Sequence, residues 1–284
     1  MNKVAIVTDS TAYIPKTYLE RYPIRVVPQV LIWDGETLED GVDILPGAFY
    51  TRLAASKTMP TTSQVSVLNM QKTFSALLEE GYEVLGMFIS SKLSGTLQSA
   101  MQGRASLERG LEKIQIHDTN STVMAMGFQV LAVARAAAEG ASLAECLALA
   151  EHAKATTNVY FVVDSLDYLH RGGRIGGAAH LLGTALNLKP ILKLNDGRVE
   201  SAEKVRTKSK AIERMIGLVV EQCQGKSPVH LSSLHANAPE QAQAAVEKAA
   251  SRLNVTEIIA SELSPVIGNH TGPGTVGIAY MAGL

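Results

Sequence analysis

The stretch VLGMFISSKLSGTLQSA, residues 84–100, joins an apolar run to a helical-looking segment through a turn rich in hydroxyl groups. Other short apolar runs occur at residues 4–7, 24–32 and 114–116, and amphipathic stretches separate them. Alternation of this kind predicts a parallel sheet with helices on its faces. We therefore expect residues 84–89 to form a buried strand, with the hydroxyl turn at its end.

The pattern of the chain changes near residue 155. Past that point a hairpin turning at Asp196-Gly197 is predicted, and further strand and helix patterns alternate less regularly. The predicted strands are residues 160–163, 229–234, 256–263 and 275–281, and the predicted helices are residues 207–222 and 239–253. We expect an α/β protein with an N-terminal Rossmann-like parallel-sheet domain, residues 1–155, and a C-terminal α+β domain with a mixed sheet, residues 156–284.

Three helix predictions are needed to place the motifs. Residues 96–109 should form a helix that ends at Gly110, and a long apolar helix should cover residues 122–140. Ser142 and Glu145 have the spacing of a capping box at the start of the next helix.

Composition excludes several classes of partner. The 284 residues carry a formal net charge of -1, and basic residues are scattered, so we expect neither nucleic-acid binding nor attraction to an anionic membrane. The N-terminus does not have the pattern of a signal peptide or anchor. Residues 123–134 are too few to span a bilayer. The two cysteines, Cys146 and Cys223, have no paired spacing, which favours a reducing cytoplasm.

Polar residues follow several predicted strands, where ligands of open α/β sheets bind. Asp9, Asp118 and Asp164 each stand beside a hydroxyl residue at such a point, as do the hydroxyls of the opening stretch. An aspartate followed by serine or threonine also starts turns and caps helices without any ligand. Both interpretations stay open for each position.

The opening turn has the same two interpretations. Ser94 can cap the helix that begins near Thr96, or the same helix end and hydroxyl can hold a carboxylate or phosphate. No histidine, cysteine or carboxylate lies beside it in sequence, and the pattern GxSxG of a nucleophile elbow is absent. The turn therefore favours holding an anion over attacking a substrate.

The other motifs in the sequence give weaker indications of function. The sequence GPGTVG, residues 272–277, matches a dinucleotide fingerprint, but the chain ends too soon for the helix and acidic residue that the fingerprint requires. No HExxH or cysteine-histidine cluster predicts a metal. His270 is either a turn histidine or a ligand contact. Arg171, Arg174 and Arg206 are ordinary solvated cations by default, although Arg206 stands near a helix start, where a cation is unfavourable.

Several motifs, in this order and spacing, resemble the DegV family of bacterial proteins, and the resemblance covers about residues 3–282. They are VAIVTDST at residues 4–11 with its preceding lysine, PTTSQVS at 60–66, SSKLSGT at 90–96, LHRGGRI at 169–175, LKPIL at 188–192 with Gly197, Arg206-Thr207, and GNHTGPG at 268–274.

The resemblance implies a protein that binds a long-chain fatty acid, such as palmitate or another chain of about 16 to 18 carbons, with the tail buried. It implies that Thr62 and Ser94 hydrogen-bond the carboxylate and that Arg206 and His270 flank it. Similar proteins present the fatty acid to a separate ATP-dependent kinase subunit, which makes an acyl phosphate, and have no turnover of their own. Val65 departs from the proline that the family often has there, which puts the conformation of the loop bearing Thr62 in question.

A different class of function remains open. Asp9, Asp118 and Asp164 are oxygen ligands of the kind that Mg²⁺ takes, so a stand-alone magnesium-dependent phosphotransferase is the alternative to a fatty-acid carrier. Neither a P-loop nor a kinase glycine-rich motif accompanies them.

Overall fold

The expected parallel sheet forms the N-terminal part of the protein. A computed structural model describes residues 3–182 and 188–284. Strands β1 (Lys3–Asp9), β2 (Ile24–Val27), β6 (Tyr82–Phe88) and β7 (Ile114–Asp118) pair in parallel in the order β2-β1-β6-β7. Their carboxyl ends therefore meet at one edge, as the sequence predicted.

A small antiparallel sheet was not predicted. Residues 24–32, interpreted as one apolar run, divide at Pro28 into β2 and β3 (Val30–Trp33). Strand β3 lies between β4 (Glu36–Glu39) and β5 (Thr61–Ser63). The chain can leave the parallel sheet here because proline lacks the N–H that a continued strand requires.

The C-terminal sheet is mixed, as expected. It contains β8 (Thr157–Val162), β9 (Lys189–Asn195), β10 (Arg198–Val205), β11 (Val229–His235), β12 (Glu257–Glu262) and β13 (Val276–Ala282), in the order β10-β9-β8-β13-β11-β12. Only β11 and β12 pair in parallel. The predicted hairpin turns at Asp196 and Gly197, both at positive φ, as a two-residue hairpin loop requires.

Helices cover the sheets. They are α1 (Lys16–Arg21), α2 (Pro46–Ala55), α3 (Val67–Glu79), α4 (Thr96–Ala105), α5 (Val123–Ala138), α6 (Leu143–Thr156), α7 (Asp167–Arg171), α8 (Lys208–Cys223), α9 (Pro239–Ala250) and α10 (Pro265–Thr271). The capping box of Ser142 and Glu145 is present on α6. The prediction for α4 was too long, because the helix ends at Ala105, where the backbone N–H of Ser106 donates to the carbonyls of Gln102 and Arg104. In the described part of the chain, no helix is long and apolar enough to cross a membrane.

Helix α5 is the centre of the molecule. Its residues 123–131 are buried on every side, and the helix packs against α6, against β1 of the N-terminal sheet and against β8, β11 and β13 of the C-terminal sheet. Its buried polar residue, Gln129, donates through Nε2 to the Thr119 carbonyl (3.3 Å) and to the Thr157 hydroxyl (2.8 Å). One apolar cluster thus includes side chains from both sheets. The domain boundary near residue 155 stays a prediction.

Phe128 on α5 tests this shared core. Its side chain is 1% exposed, and its ring lies 6.0 Å from that of His230 on β11. We expect Phe128→Ala to lower the free energy of unfolding by about 3–5 kcal/mol, because the cavity it leaves lies against both sheets. Calorimetry should still show one transition. Leu68→Ala, on exposed α3 surface, is the control, and a variant that loses only one of two separate transitions would contradict the shared core.

Candidate functional site

A cavity lies where the strand ends of the N-terminal sheet face the C-terminal sheet. It encloses about 1020 Å³ of space between atoms, part of it open to solvent. Most of its wall is apolar and comes from several elements of both sheets. These side chains include Ile89, Val159, Phe161, Leu194, Leu234 and Val266. Such a mostly apolar cleft with a few polar groups is the usual form of a small-molecule site.

Thr62 and His270 meet on the wall of this cavity. Thr62 lies on β5, and His270 lies in the last turn of α10, not in an irregular turn as its glycine-rich surroundings suggested. The Thr62 Oγ1 atom is 2.8 Å from Nε2 of His270. Val65, the departure from the family pattern, is fully buried in the core below α3, so the loop is anchored by an apolar contact there.

His270 is uncharged at neutral pH. Burial, together with the nearby charge of Arg174, lowers the pKa of His270 to about 4. Its Nδ1 is buried with no hydrogen-bond partner among the described residues. An unpartnered acceptor is more tolerable than an unpartnered N–H, so the proton belongs on Nε2, where it is donated to Thr62. The Thr62 hydroxyl proton then remains free for a ligand.

The hydroxyl-rich turn at residues 90–96 contributes Ser94 to the same cavity. Ser94 is not the N-cap of α4, because Gly95 holds that position without any side-chain cap bond. The Ser94 Oγ accepts from the Thr96 N–H at 3.3 Å and lies 3.0 Å from the Thr96 hydroxyl. Gly95 also lines the cavity, so the positive end of α4 faces it.

The neighbouring hydroxyls have structural partners. Ser90 donates through Oγ to the Gly197 carbonyl at the hairpin turn (2.9 Å). Ser91 donates through Oγ to Asp118 at 2.5 Å. Of these three serines of the turn, only Ser94 lines the cavity. Ser90 and Ser91 therefore anchor the turn, and Ser94 faces the cavity.

Arg206 lies elsewhere. It is exposed between β10 and α8 and is not among the residues that line the cavity. The arginine on the cavity wall is Arg174, which sequence reasoning treated as a solvated cation. Its Nε donates to the Leu93 carbonyl (3.0 Å), and its Nη1 donates to the Gly172 carbonyl (2.7 Å). The sequence feature that could have indicated this position is the glycine-rich motif around Arg174, because glycines allow the backbone to approach a neighbouring group closely.

Two glycines make the site compact. A β-carbon at Gly95 would collide with the amide of Gln64, which donates to the Ser99 hydroxyl at 3.1 Å and so links the Thr62 loop to α4. A β-carbon at Gly172 would collide with the His270 ring. Both positions therefore require glycine for these side chains to lie where they do.

The strand-end aspartates hold loops. Asp9 is fully buried, where desolvation raises its pKa, and it accepts from the backbone N–H of Ile89 (2.8 Å) and of Thr11 (3.0 Å). Asp118 accepts from Ser91, and Asp164 pairs with Lys208 at 2.9 Å. Within residues 3–182 and 188–284, no three acidic, histidine or cysteine side chains form a group that could hold a metal ion.

The site is better suited to binding than to nucleophilic attack. A hydroxyl beside a histidine resembles the start of a catalytic triad, but a triad also needs a group that orients the second ring nitrogen. The unpartnered Nδ1 of His270 lacks one in the described structure, and a pKa of about 4 makes its ring a weak base. Two hydroxyl donors, a helix N-terminus and a half-buried guanidinium instead favour an anionic group attached to an apolar body.

Comparisons with known proteins agree with this architecture. The model of the DegV family, described as uncharacterised proteins, matches residues 3–283. A DegV domain-containing protein of Streptomyces coelicolor is 38% identical over 277 residues, 97% of each chain. A fatty-acid-binding DegV family protein from Thermus thermophilus is 35% identical, with a TM-score of 0.93 over 99% of each chain. A stearic-acid-binding protein from Eubacterium ventriosum is 26% identical, with a TM-score of 0.89 over 99% of this chain and 98% of that one.

The family match spans nearly the whole chain, and the Streptomyces coelicolor relative is similar along nearly its full length. By sequence and by fold, this chain belongs to the DegV family.

Proposed function

We propose that the protein binds one long-chain fatty acid, with the carboxylate held by Thr62 and Ser94 and the tail in the apolar cavity. The observation that carries the proposal is the meeting of Thr62, Ser94 and His270, from three distant parts of the chain, on the wall of one mostly apolar cavity. The fatty-acid-binding proteins from Thermus thermophilus and Eubacterium ventriosum share this fold, which supports the same ligand class here.

The energetics of such a ligand fit the polar groups present. Burial of each methylene contributes about 0.8 kcal/mol, so a tail of about 16 to 18 carbons supplies most of the affinity. The carboxylate then needs donors mainly to replace its lost water. Hydrogen bonds to a charged group contribute about 1.5–3 kcal/mol each, and the hydroxyls of Thr62 and Ser94 supply two.

The cation beside the carboxylate is Arg174 in this proposal, in place of Arg206. Arg174 lines the cavity and holds the carbonyls of Leu93 and Gly172, which neighbour the Ser94 and His270 segments. Its charge supports an anion there while its own hydrogen bonds keep it in place.

The wider role is proposed from the family resemblance. The protein presents the carboxylate, at a cavity between two domains that divide near residue 155, to a separate ATP-dependent kinase subunit in the cytoplasm, which forms the acyl phosphate. No specific observation favours the phosphotransferase alternative, since Asp9, Asp118 and Asp164 are engaged in holding loops.

Mass spectrometry of the purified protein, native and after denaturing extraction, is the direct experiment. We expect near one fatty acid per chain, of about 16 to 18 carbons, or uptake of palmitate by the delipidated protein. A delipidated sample that is folded but takes up neither palmitate nor oleate would overturn the proposal.

Removal of the proposed donors should weaken binding in a graded way. We expect Ser94→Ala and Thr62→Val each to raise the Kd for palmitate by about 10- to 150-fold, because each removes one hydrogen bond to a charged group. Ser91→Ala is the matched control, since Ser91 lies in the same turn but bonds to Asp118. Fluorescence displacement on delipidated protein measures the Kd. Equal affinity in the Thr62→Val, Ser94→Ala double variant and the wild type would contradict this placement of the carboxylate.

The low pKa of His270 predicts a pH dependence of stability. In the ligand-free protein this pKa lies near 4, below the ordinary 6.5, so between these values the unfolded chain binds more protons. The contribution of His270 to the free energy of unfolding should therefore rise by about 3 kcal/mol between pH 4 and 6.5, whereas the raised pKa values of Asp9 and Asp40 contribute slopes of the opposite sign. His270→Asn should remove that part of the slope, and bound palmitate should flatten it, because a carboxylate favours the charged imidazole. Identical slopes in wild type and variant, measured by denaturant titration, would be inconsistent with a buried neutral His270.

A further inference from the structure

A buried carboxylate lies behind the cavity. Asp40 follows β4 and is 1% exposed. Its Oδ2 accepts from the Ser10 hydroxyl at 2.6 Å, and its Oδ1 accepts from the backbone N–H of Val266 at 3.4 Å. Ser264, the N-cap of α10, lies near enough for its hydroxyl to favour the charged form of Asp40. One side chain thus joins the loop after β1, the small antiparallel sheet and the first turn of α10.

Helix α10 is held to the small sheet at both ends. Asp40 bonds the N–H of Val266 in the first turn, and Thr62 bonds the ring of His270 in the last turn at 2.8 Å. Asp40 and Thr62 are carried by the same sheet, since β3 pairs with β4 on one side and with β5 on the other. The position of His270 therefore depends on two attachments, and the one at Thr62 involves a group that also serves the ligand.

We propose that Asp40 is a positioning residue for the head-group site, which holds α10 in place so that His270 stays against Thr62 when the Thr62 hydroxyl turns to a bound carboxylate. This inference rests on the proposed function. Asp40 does not line the cavity, so it acts through α10 and His270.

The charge state of Asp40 suits this role. Burial raises the pKa of Asp40 to about 6, although its hydrogen bonds oppose the rise. Its titratable neighbours are Asp9, Tyr13 and Tyr50, and Glu262 acts on the same two tyrosines. At neutral pH the group is mainly a carboxylate, which accepts hydrogen bonds only, and the Ser10 hydroxyl and the Val266 N–H are both donors.

A comparison of variants tests the inference. We expect Asp40→Ala to raise the Kd for palmitate about 10-fold, and Asp40→Asn to recover most of this loss because an amide oxygen can still accept from Val266. Asp43→Ala is the matched control, since Asp43 is exposed in the same loop and accepts only from the Glu39 N–H at 2.8 Å. If Asp40→Ala fails to fold, the smaller loss of affinity in Asp40→Asn is measured instead, and that loss should vanish when His270 is already alanine.

A double-mutant cycle with His270→Ala separates positioning from general stability. If Asp40 acts through His270, Asp40→Ala should change the Kd less than 2-fold when His270 is already alanine. NMR titration of the ligand-free protein should show the pKa of His270 rising from about 4 toward 6.5 in Asp40→Ala and unchanged in Asp43→Ala, because the ring moves toward solvent.

Each of these measurements can contradict the positioning role of Asp40. Additive losses of affinity, or an unchanged His270 titration in both Asp40 variants, would overturn the positioning role. If the wild type binds no palmitate, the proposed function is wrong. The NMR titration of His270 in the Asp40 variants then still shows whether Asp40 holds α10 in place.

Discussion

The burial of residues 123–131 of α5 on all sides is the constraint on which the rest of the structure depends. A helix that is apolar all round must be covered on all sides, and one sheet covers only one face. The chain covers it with a parallel sheet from its first part and a mixed sheet from its last. The strand ends of the first sheet then face the second sheet beside the start of α5, and the cavity lies in that gap, with Thr122 and Val123 in its wall.

In the proposed function, the cavity would hold a carboxylate without a dedicated buried charge pair. Three polar side chains on its wall also have a partner within the protein: Thr62 with His270, Ser94 with Thr96, and Arg174 with two carbonyls. A ligand can therefore enter by exchanging partners with these three side chains, which regain their partners within the protein when it leaves. Neutral hydroxyls suit this exchange, because their protons rotate freely between partners.

The alternation of short apolar and amphipathic segments predicted both sheets, and residues 229–234 and 275–281 differ from β11 and β13 by only a residue or so at each end. Pairing between distant segments could not be predicted, because periodicity carries no information on partners. This is why β3, β4 and β5 were missed, although Pro28 was a visible break. The placement of Thr62, Ser94 and His270 in one site came from the family resemblance. The exposure of Arg206 and the cavity position of Arg174 depend on tertiary packing, which neither motif encodes by itself.

The contact between Thr62 and His270 joins residues 208 positions apart, and so it affects when the site can exist. Contacts so distant in sequence close large loops and form late in folding. During synthesis, the N-terminal part of a chain emerges first and begins to fold before the rest. The segments bearing Thr62 and Ser94 therefore leave the ribosome long before α10, and β13, which follows α10, completes the centre of the C-terminal sheet. Only a chain synthesised past α10 and β13 can bring all three side chains together.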